Sequence, residues 1–375
     1  MTPTPSVRLS QLLERAVSLG AVPAISDAAI RERIEFVCRC LSNRAGVRLM
    51  MSCMLAKLDN PAVDPRKPYT KIGTDDSFSG RTYDEHHITP FISEHRLPCN
   101  STTAFLTPTL RNHDAPLSIN TELVGRPPRM YRDTLQVLDD VANGRATAEN
   151  VLIETLRFLL ALRDERGARI QGLVASLERD NDELPLSTEA IVTLMEQHLA
   201  CKNSSRLPVL MVAAAYTAAS PAIGERTLPL HAHNAADEQT GAIGDVEVCL
   251  VNDERLCTIY EMKSKRVTKD DIDRAIQKVV AHAPRIDNYI FVTTDAIDLE
   301  VRDYAHSFYQ STNGTEVAIL DCVGFVRHFL HFFHRRRIQF LDAYQALVLA
   351  EPNSAVNQPL KEAFLSLRQA AETDE

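Results

Sequence analysis

The hydrophobic pattern changes period repeatedly along the second half of the chain. Segments 188–200 and 207–219 carry helical spacing, and 225–232 can form a strand. The string GDVEVCLVNDERLCTIYEMKSK at 244–265 then reads as two short strands. Val246, Val248 and Leu250 mark one and Ile259 the other, and the polar turn Asn252-Asp253-Glu254-Arg255 joins them. From 268 to 283 the period returns to helical: Ile272, Ala275, Ile276, Val279 and Val280 recur at three- and four-residue steps. Thr268 suits the N-cap of that helix, with Asp270 and Asp271 in its first turn. Segment 288–294 reads as a buried strand, 298–310 as a helix, 316–321 as a strand and 323–349 as one long helix. The resulting order is helix, strand, strand, strand, helix, strand.

The first half is helical in pattern and broken by polar loops. Helices are expected at 28–41, with Asp27 as N-cap, and at 45–58, which carries Arg44 and Arg48 at its start. A polar loop follows at 59–81. Segment 83–95 can form a short helix, limited by Pro90 to an early turn, and 98–116 is rich in Ser, Thr, Asn and Pro. Helices resume at 130–142 and 146–177. The acidic run at 180–186, which contains Pro185, marks the expected boundary. It divides a mostly helical region at 1–182 from a core with a C-terminal helical extension at 183–375. The class implied is α/β in the broad sense, more closely α+β.

Composition narrows this little. Hydrophobic content of 45% and charged content of 24% are ordinary for a globular chain of 375 residues. No apolar run is long enough to span a bilayer and the start lacks a signal-peptide core, so a cytoplasmic location is expected. The eight cysteines show no CxxC pair and are expected reduced and buried. A net charge of −9 argues against nonspecific coating of nucleic acid. It leaves room for an enzyme whose cations are placed locally.

The chemistry concentrates in Asp245, Glu261 and Lys263. Alternation along a strand puts Glu261 and Lys263 on one face and Met262 on the other. Two carboxylates and an ammonium then converge at the end of one sheet. Mg²⁺ prefers oxygen donors, taking one or two carboxylates and several waters. Asp245, Glu261 and the carbonyl of Met262 offer such a set, and Lys263 can steady charge on a phosphorane. Glu247 shares the face of Asp245 and could serve a second metal or hydrogen-bond Lys263. The competing interpretation is a cross-strand ion pair without catalysis. His328, His331 and His334 recur at three-residue steps; an aromatic face is the better reading of them than a three-His metal site.

The motif and the element order together resemble the PD-(D/E)XK nuclease superfamily, over residues 188–294, with Gly244 in place of the signature proline. Beyond that core, the chain resembles a type II restriction endonuclease of the SacI family. The resemblance implies a mixed central sheet flanked by helices. It also implies a Mg²⁺-dependent double-stranded DNA endonuclease, with Mn²⁺ expected to substitute, acting as a homodimer on a short palindrome and paired with a cognate DNA methyltransferase. Members often place an acidic residue on the helix preceding the core, which selects Glu196 from the pair Glu189 and Glu196. Base and phosphate contacts are expected from Arg66, Lys67, Lys71 and Arg81, and from Asn100, Ser101, Thr102, Thr103, Arg111 and Asn112. His231, His233 and Asn234 could line the mouth of the site, although a satisfied turn is the simpler reading. A structure-specific repair nuclease and a non-catalytic protein-binding module are the alternatives.

Overall fold

The computed structural model describes residues 3–40, 43–100, 102–111, 113–177, 185–231, 243–253, 255–281 and 286–373. The chain divides into two compact units, Met1–Arg169 and Ile170–Glu375. Most of the boundary run expected at 180–186 lies outside the described residues, as do Ser101, Asn112, His233, Asn234 and Glu254.

The first unit is helical: α1 (Pro5–Leu19), α2 (Ala28–Arg39), α3 (Ala45–Asp59), α4 (Gly80–Tyr83), α5 (Thr89–Glu94), α6 (Pro128–Ala142) and the start of α7 (Ala148–Ala175). Asp27 caps α2 through the backbone N–H groups of Ala29 and Ile30, as its position predicts. The short helix expected at 83–95 is present and begins slightly earlier, running almost without interruption from Gly80 to Glu94. A π-helical stretch, Asp84–Ile88, joins α4 to α5, and Pro90 falls in the first turn of α5, where a missing N–H costs nothing.

Arg48, near the start of α3 as its position predicts, makes a buried ion pair. It is fully buried in α3 and donates from Nε to Asp84 at 3.0 Å and from Nη1 to the carbonyl of Asn100 at 2.6 Å. Asp84 in turn accepts from the Thr103 hydroxyl and, at 3.2 Å, from the Ala104 N–H. A buried ion pair is tolerable only when its remaining donors and acceptors are filled. Here they are, and the pair fastens α3 to the π stretch and to the loop around residues 100–104.

The second unit is built on one five-stranded sheet. Its elements are α8 (Thr188–Leu199), α9 (Leu207–Ile223), β1 (Glu225–Thr227), β2 (Val246–Leu250), β3 (Leu256–Lys263), α10 (Lys269–Ala281), β4 (Asn288–Thr293), α11 (Leu299–His306), β5 (Glu316–Asp321), α12 (Cys322–Phe332), α13 (Arg337–Ala350) and α14 (Gln358–Thr373). Strand order is β1-β2-β3-β4-β5, antiparallel as far as β3 and parallel beyond it. The α+β class is therefore as expected. β1 is shorter than the strand expected there. The long helix expected at 323–349 is broken at Phe333 (φ −104°, ψ 47°), followed by a short 3₁₀ turn. The break lets Phe340 and Tyr344 of α13 enter the core.

Alternation sorts the strands onto two cores. Val246, Val248, Tyr260 and Val292 face the core that contains α8, α9, α12, α13 and α14. Ile259, Tyr289, Phe291, Val317 and Ile319 face a second core, with Ile272, Ala275 and Val279 of α10. Each fully buried Ile or Val of α10 stabilises that docking by about 1.5–3 kcal/mol.

Candidate active site

The second face carries the polar cluster. β2 and β3 pair antiparallel with Val246 opposite Tyr260 and Glu247 opposite Ile259. One step beyond, the Asp245 N–H donates to the Tyr260 carbonyl at 2.8 Å, and the Asp245 carboxylate accepts the Met262 N–H at 2.7 Å. A side chain thus ends the backbone ladder. Within a strand, the N–H and C=O of one residue point to the same side. The Met262 carbonyl therefore lies on the Asp245 side, where the ladder stops.

Gly244 is required for this closeness. A Cβ added there would come within 2.5 Å of Ile259 Cγ2 and 2.8 Å of the Tyr260 carbonyl oxygen. Gly244 is thus the residue that lets the lead-in to β2 lie against β3.

Lys263 Nζ lies 2.8 Å from Glu261 Oε1 and 3.2 Å from Asp271 Oδ1. Asp271 and Thr268 form a reciprocal capping pair at the start of α10: the Asp271 carboxylate accepts the Thr268 N–H at 2.9 Å, and the Asp271 N–H donates to the Thr268 hydroxyl at 3.3 Å. The helix start therefore fixes the second anion beside Lys263. Glu261 Oε2 accepts from the Tyr289 hydroxyl, and Lys278 Nζ lies 3.4 Å from it.

Burial pushes the Glu261 carboxyl up, but hydrogen bonds from Lys263 and Tyr289 and the charges of Lys263 and Lys278 bring it below its ordinary value. Burial lowers the Lys263 ammonium, and its pairing with Glu261 and then Asp271 outweighs that and raises it. Glu261 is thus an anion and Lys263 a cation throughout the neutral range.

The structure brings Glu261 and Lys263 together and places Asp245 beside them at the end of the ladder. Glu247 lies on the same face, but its carboxylate accepts the Ile243 N–H at 2.7 Å and sits 3.9 Å from His231 Nε2. Lys263 is paired with Glu261 and Asp271, not with Glu247. Glu196 is not brought to the cluster: α8 belongs to the core on the other side of the sheet, and Glu196 pairs with Arg327 at 3.4 Å. Arg327 also binds Glu189 at 3.1 Å, which confirms that the two glutamates share a helix face. His331 turns to Glu189 at 3.0 Å, whereas His328 stacks on Phe332. That is the aromatic-face arrangement rather than a metal site.

Asp271, Lys278 and Tyr289 were not singled out by the sequence reading. Tyr289 could have been found from alternation, since it shares its face with Phe291 in β4, the strand parallel to β3.

In the first unit, Arg66 is held by Asp64 at 2.9 Å and Asp139 at 3.1 Å, Lys67 by Asp76 at 2.8 Å and Arg81 by Glu85 at 2.7 Å. Lys71, Asn100 and Arg111 are exposed. Arg66 and Lys67 therefore brace their loop, and the exposed residues are better placed to meet a ligand.

The donor set suits a hard divalent cation. Asp245, Glu261 and the Met262 carbonyl, neighbours at the end of the β2–β3 ladder, all offer oxygen, the donor type that Mg²⁺ takes in small number alongside several waters. Among the described residues no group of three or more His, Cys, Asp or Glu side chains is placed to hold a metal, so the fit rests on the pair and the carbonyl.

The second unit thus sets two acids and a lysine at one end of a mixed sheet. Residues 185–294 match the family model described as SacI restriction endonuclease C-terminal domain. The matched stretch runs from α8 through β4 and contains Asp245, Glu261 and Lys263. The match supports a restriction endonuclease, hence a nuclease that binds DNA. Among curated proteins none matches the chain. Among the described residues no helix is long and apolar enough to cross a membrane.

Proposed function

We propose that the protein is a Mg²⁺-dependent type II restriction endonuclease that cuts both strands of double-stranded DNA at a short palindrome. The observation that carries this is the Glu261–Lys263 pair on β3, set beside Asp245 at the end of the β2–β3 ladder within the matched segment. Asp245, Glu261 and the Met262 carbonyl would hold the metal. When bound, Mg²⁺ would supply positive charge to the phosphate and acidify a water.

Lys263, held beside Glu261 and Asp271, would serve as a cationic donor to the attacking oxygen and the phosphoryl oxygens. Asp271 holds that ammonium from the side opposite Glu261 and restricts its rotamer. A two-fold symmetric site matches a homodimer with one such centre per strand, and Mn²⁺ substitutes by the same oxygen preference. Pairing with a methyltransferase and a cytoplasmic location belong to the same proposal, since an unprotected host chromosome would otherwise be cut.

Plasmid digestion tests this. Discrete fragments with one shared end sequence are expected in Mg²⁺, and none in EDTA. Lys263→Ala should slow cleavage roughly 100- to 1000-fold while DNA binding persists. Smeared or branch-dependent products would point to a repair nuclease. Wild-type cleavage by Asp245→Ala, Glu261→Ala or Lys263→Ala would remove the site assignment.

A further inference from the structure

Two side chains outside the predicted set bind both halves of the carboxylate pair's framework. The Tyr289 hydroxyl contacts Glu261 Oε2 and lies 3.3 Å from the carbonyl of Ile243. Lys278 Nζ lies 3.4 Å from the same carboxylate oxygen and 3.2 Å from the same carbonyl. Ile243 stands two residues before Asp245, and its N–H is held at 2.7 Å by Glu247. Both polar groups of the Ile243 peptide unit are thus fixed to side chains around the site. Tyr289 is fully buried on β4, and Lys278 lies two turns along α10 from Asp271, so one helix supplies a partner to each charge of the Glu261–Lys263 pair.

We propose that Tyr289 and Lys278 are positioning residues that set the separation of Glu261 from Asp245: Tyr289 donates its one hydroxyl hydrogen to the Glu261 carboxylate, and the Lys278 ammonium bridges that carboxylate to the Ile243 carbonyl. This rests on the nuclease reading for its catalytic consequence. The physical basis is that a carboxylate ligand is oriented by the groups that hydrogen-bond its oxygens, and loss of such a partner costs about 10- to 100-fold in metal affinity or activity. The Ile243 contact adds a feature that ordinary orientation lacks. It transmits the same restraint to the strand that carries Asp245.

The test uses the full chain with Tyr289→Phe, which removes one hydroxyl and keeps the ring. Mn²⁺ binding without DNA is measured by calorimetry, with Asp245→Ala defining the site. Affinity should fall about 10-fold, and kcat by a similar factor with KM for DNA unchanged. Lys278→Arg should retain most cleavage, and Lys278→Met should not.

Melting temperatures supply a readout independent of catalysis. In the double variant Tyr289→Phe/Glu261→Ala the loss in melting temperature should be less than the sum of the two single losses, because the two groups share one contact. Wild-type Mn²⁺ affinity and kcat in Tyr289→Phe, or strictly additive losses in melting temperature, would overturn the proposal. If the wild-type protein neither cuts DNA nor binds Mn²⁺, the nuclease reading fails, and the melting comparison still decides whether the clamp exists.

Discussion

Acid should weaken the second unit through one histidine. His198 on α8 is fully buried, with Nε2 3.0 Å from the Leu360 carbonyl and Nδ1 2.9 Å from the Tyr344 hydroxyl. A carbonyl only accepts, so Nε2 carries the proton and Nδ1 accepts from Tyr344. The neutral ring is therefore fully satisfied, and a second proton on Nδ1 would force the Tyr344 hydroxyl to turn its own hydrogen away. Burial pushes the imidazole down from its ordinary 6.5 to about 4, against the smaller opposing effect of the Leu360 carbonyl.

A folded value below the unfolded one means that the unfolded chain takes up the proton first. The contribution of His198 is complete above pH 6.5, declines as pH falls, and levels off near pH 4. Integration over that window gives a loss of about 2.5 kcal/mol at pH 4.5 relative to pH 7.5. His198→Gln isolates it, since the amide can donate to Leu360 and accept from Tyr344 without titrating. Urea unfolding of both proteins at the two pH values cancels the carboxylates they share. The wild type should lose about 2.5 kcal/mol more than the variant. Parallel pH dependences would refute the buried neutral assignment.

Two further outcomes follow from close contacts. Asp84→Ala strands the Arg48 charge in the core of the first unit and should cost about 3–5 kcal/mol by urea unfolding, whereas joint replacement by Arg48→Met and Asp84→Leu should cost far less. Gly244→Ala places a methyl against the Tyr260 carbonyl and Ile259. It should reduce cleavage roughly 100-fold through displacement of Asp245, and the overpacking should cost about 1–3 kcal/mol of stability.

Local signals carried much of the architecture. The period switch at 244–263, the Thr268–Asp271 helix start and the Asp27 cap are short-range patterns, and they appear where the spacing places them. The Glu261–Lys263 pairing was legible for the same reason, since a strand fixes which residues share a face. What failed depended on partners distant in sequence. The position of Arg48 near a helix start says nothing of the Asp84, Thr89 and Asn100 groups that enclose it. The 323–349 segment keeps a helical period across Phe333, and the break follows from where Phe340 and Tyr344 find the core. Lys278 and Tyr289 are unremarkable positions of a helix and a strand, and become informative only when Glu261 and Ile243 lie between them.

The charge around Glu261 bears on how an acidic protein could handle a polyanion. On this face Asp245, Glu247, Glu261 and Asp271 stand against Lys263 and Lys278, with Arg274 at the exposed rim 2.6 Å from Asp271. Among these residues carboxylates outnumber cations, so a phosphodiester approaching unaided meets net repulsion. Both ammonium groups are engaged with carboxylates, so neither offers a whole charge to the phosphate. An oxygen-liganded divalent cation at Asp245 and Glu261 would reverse the local sign and loosen the hold of Glu261 on Lys263, turning that ammonium toward substrate. If Asp245 and Glu261 hold a cation as proposed, the acids of this face supply a reason for productive DNA binding to depend on it.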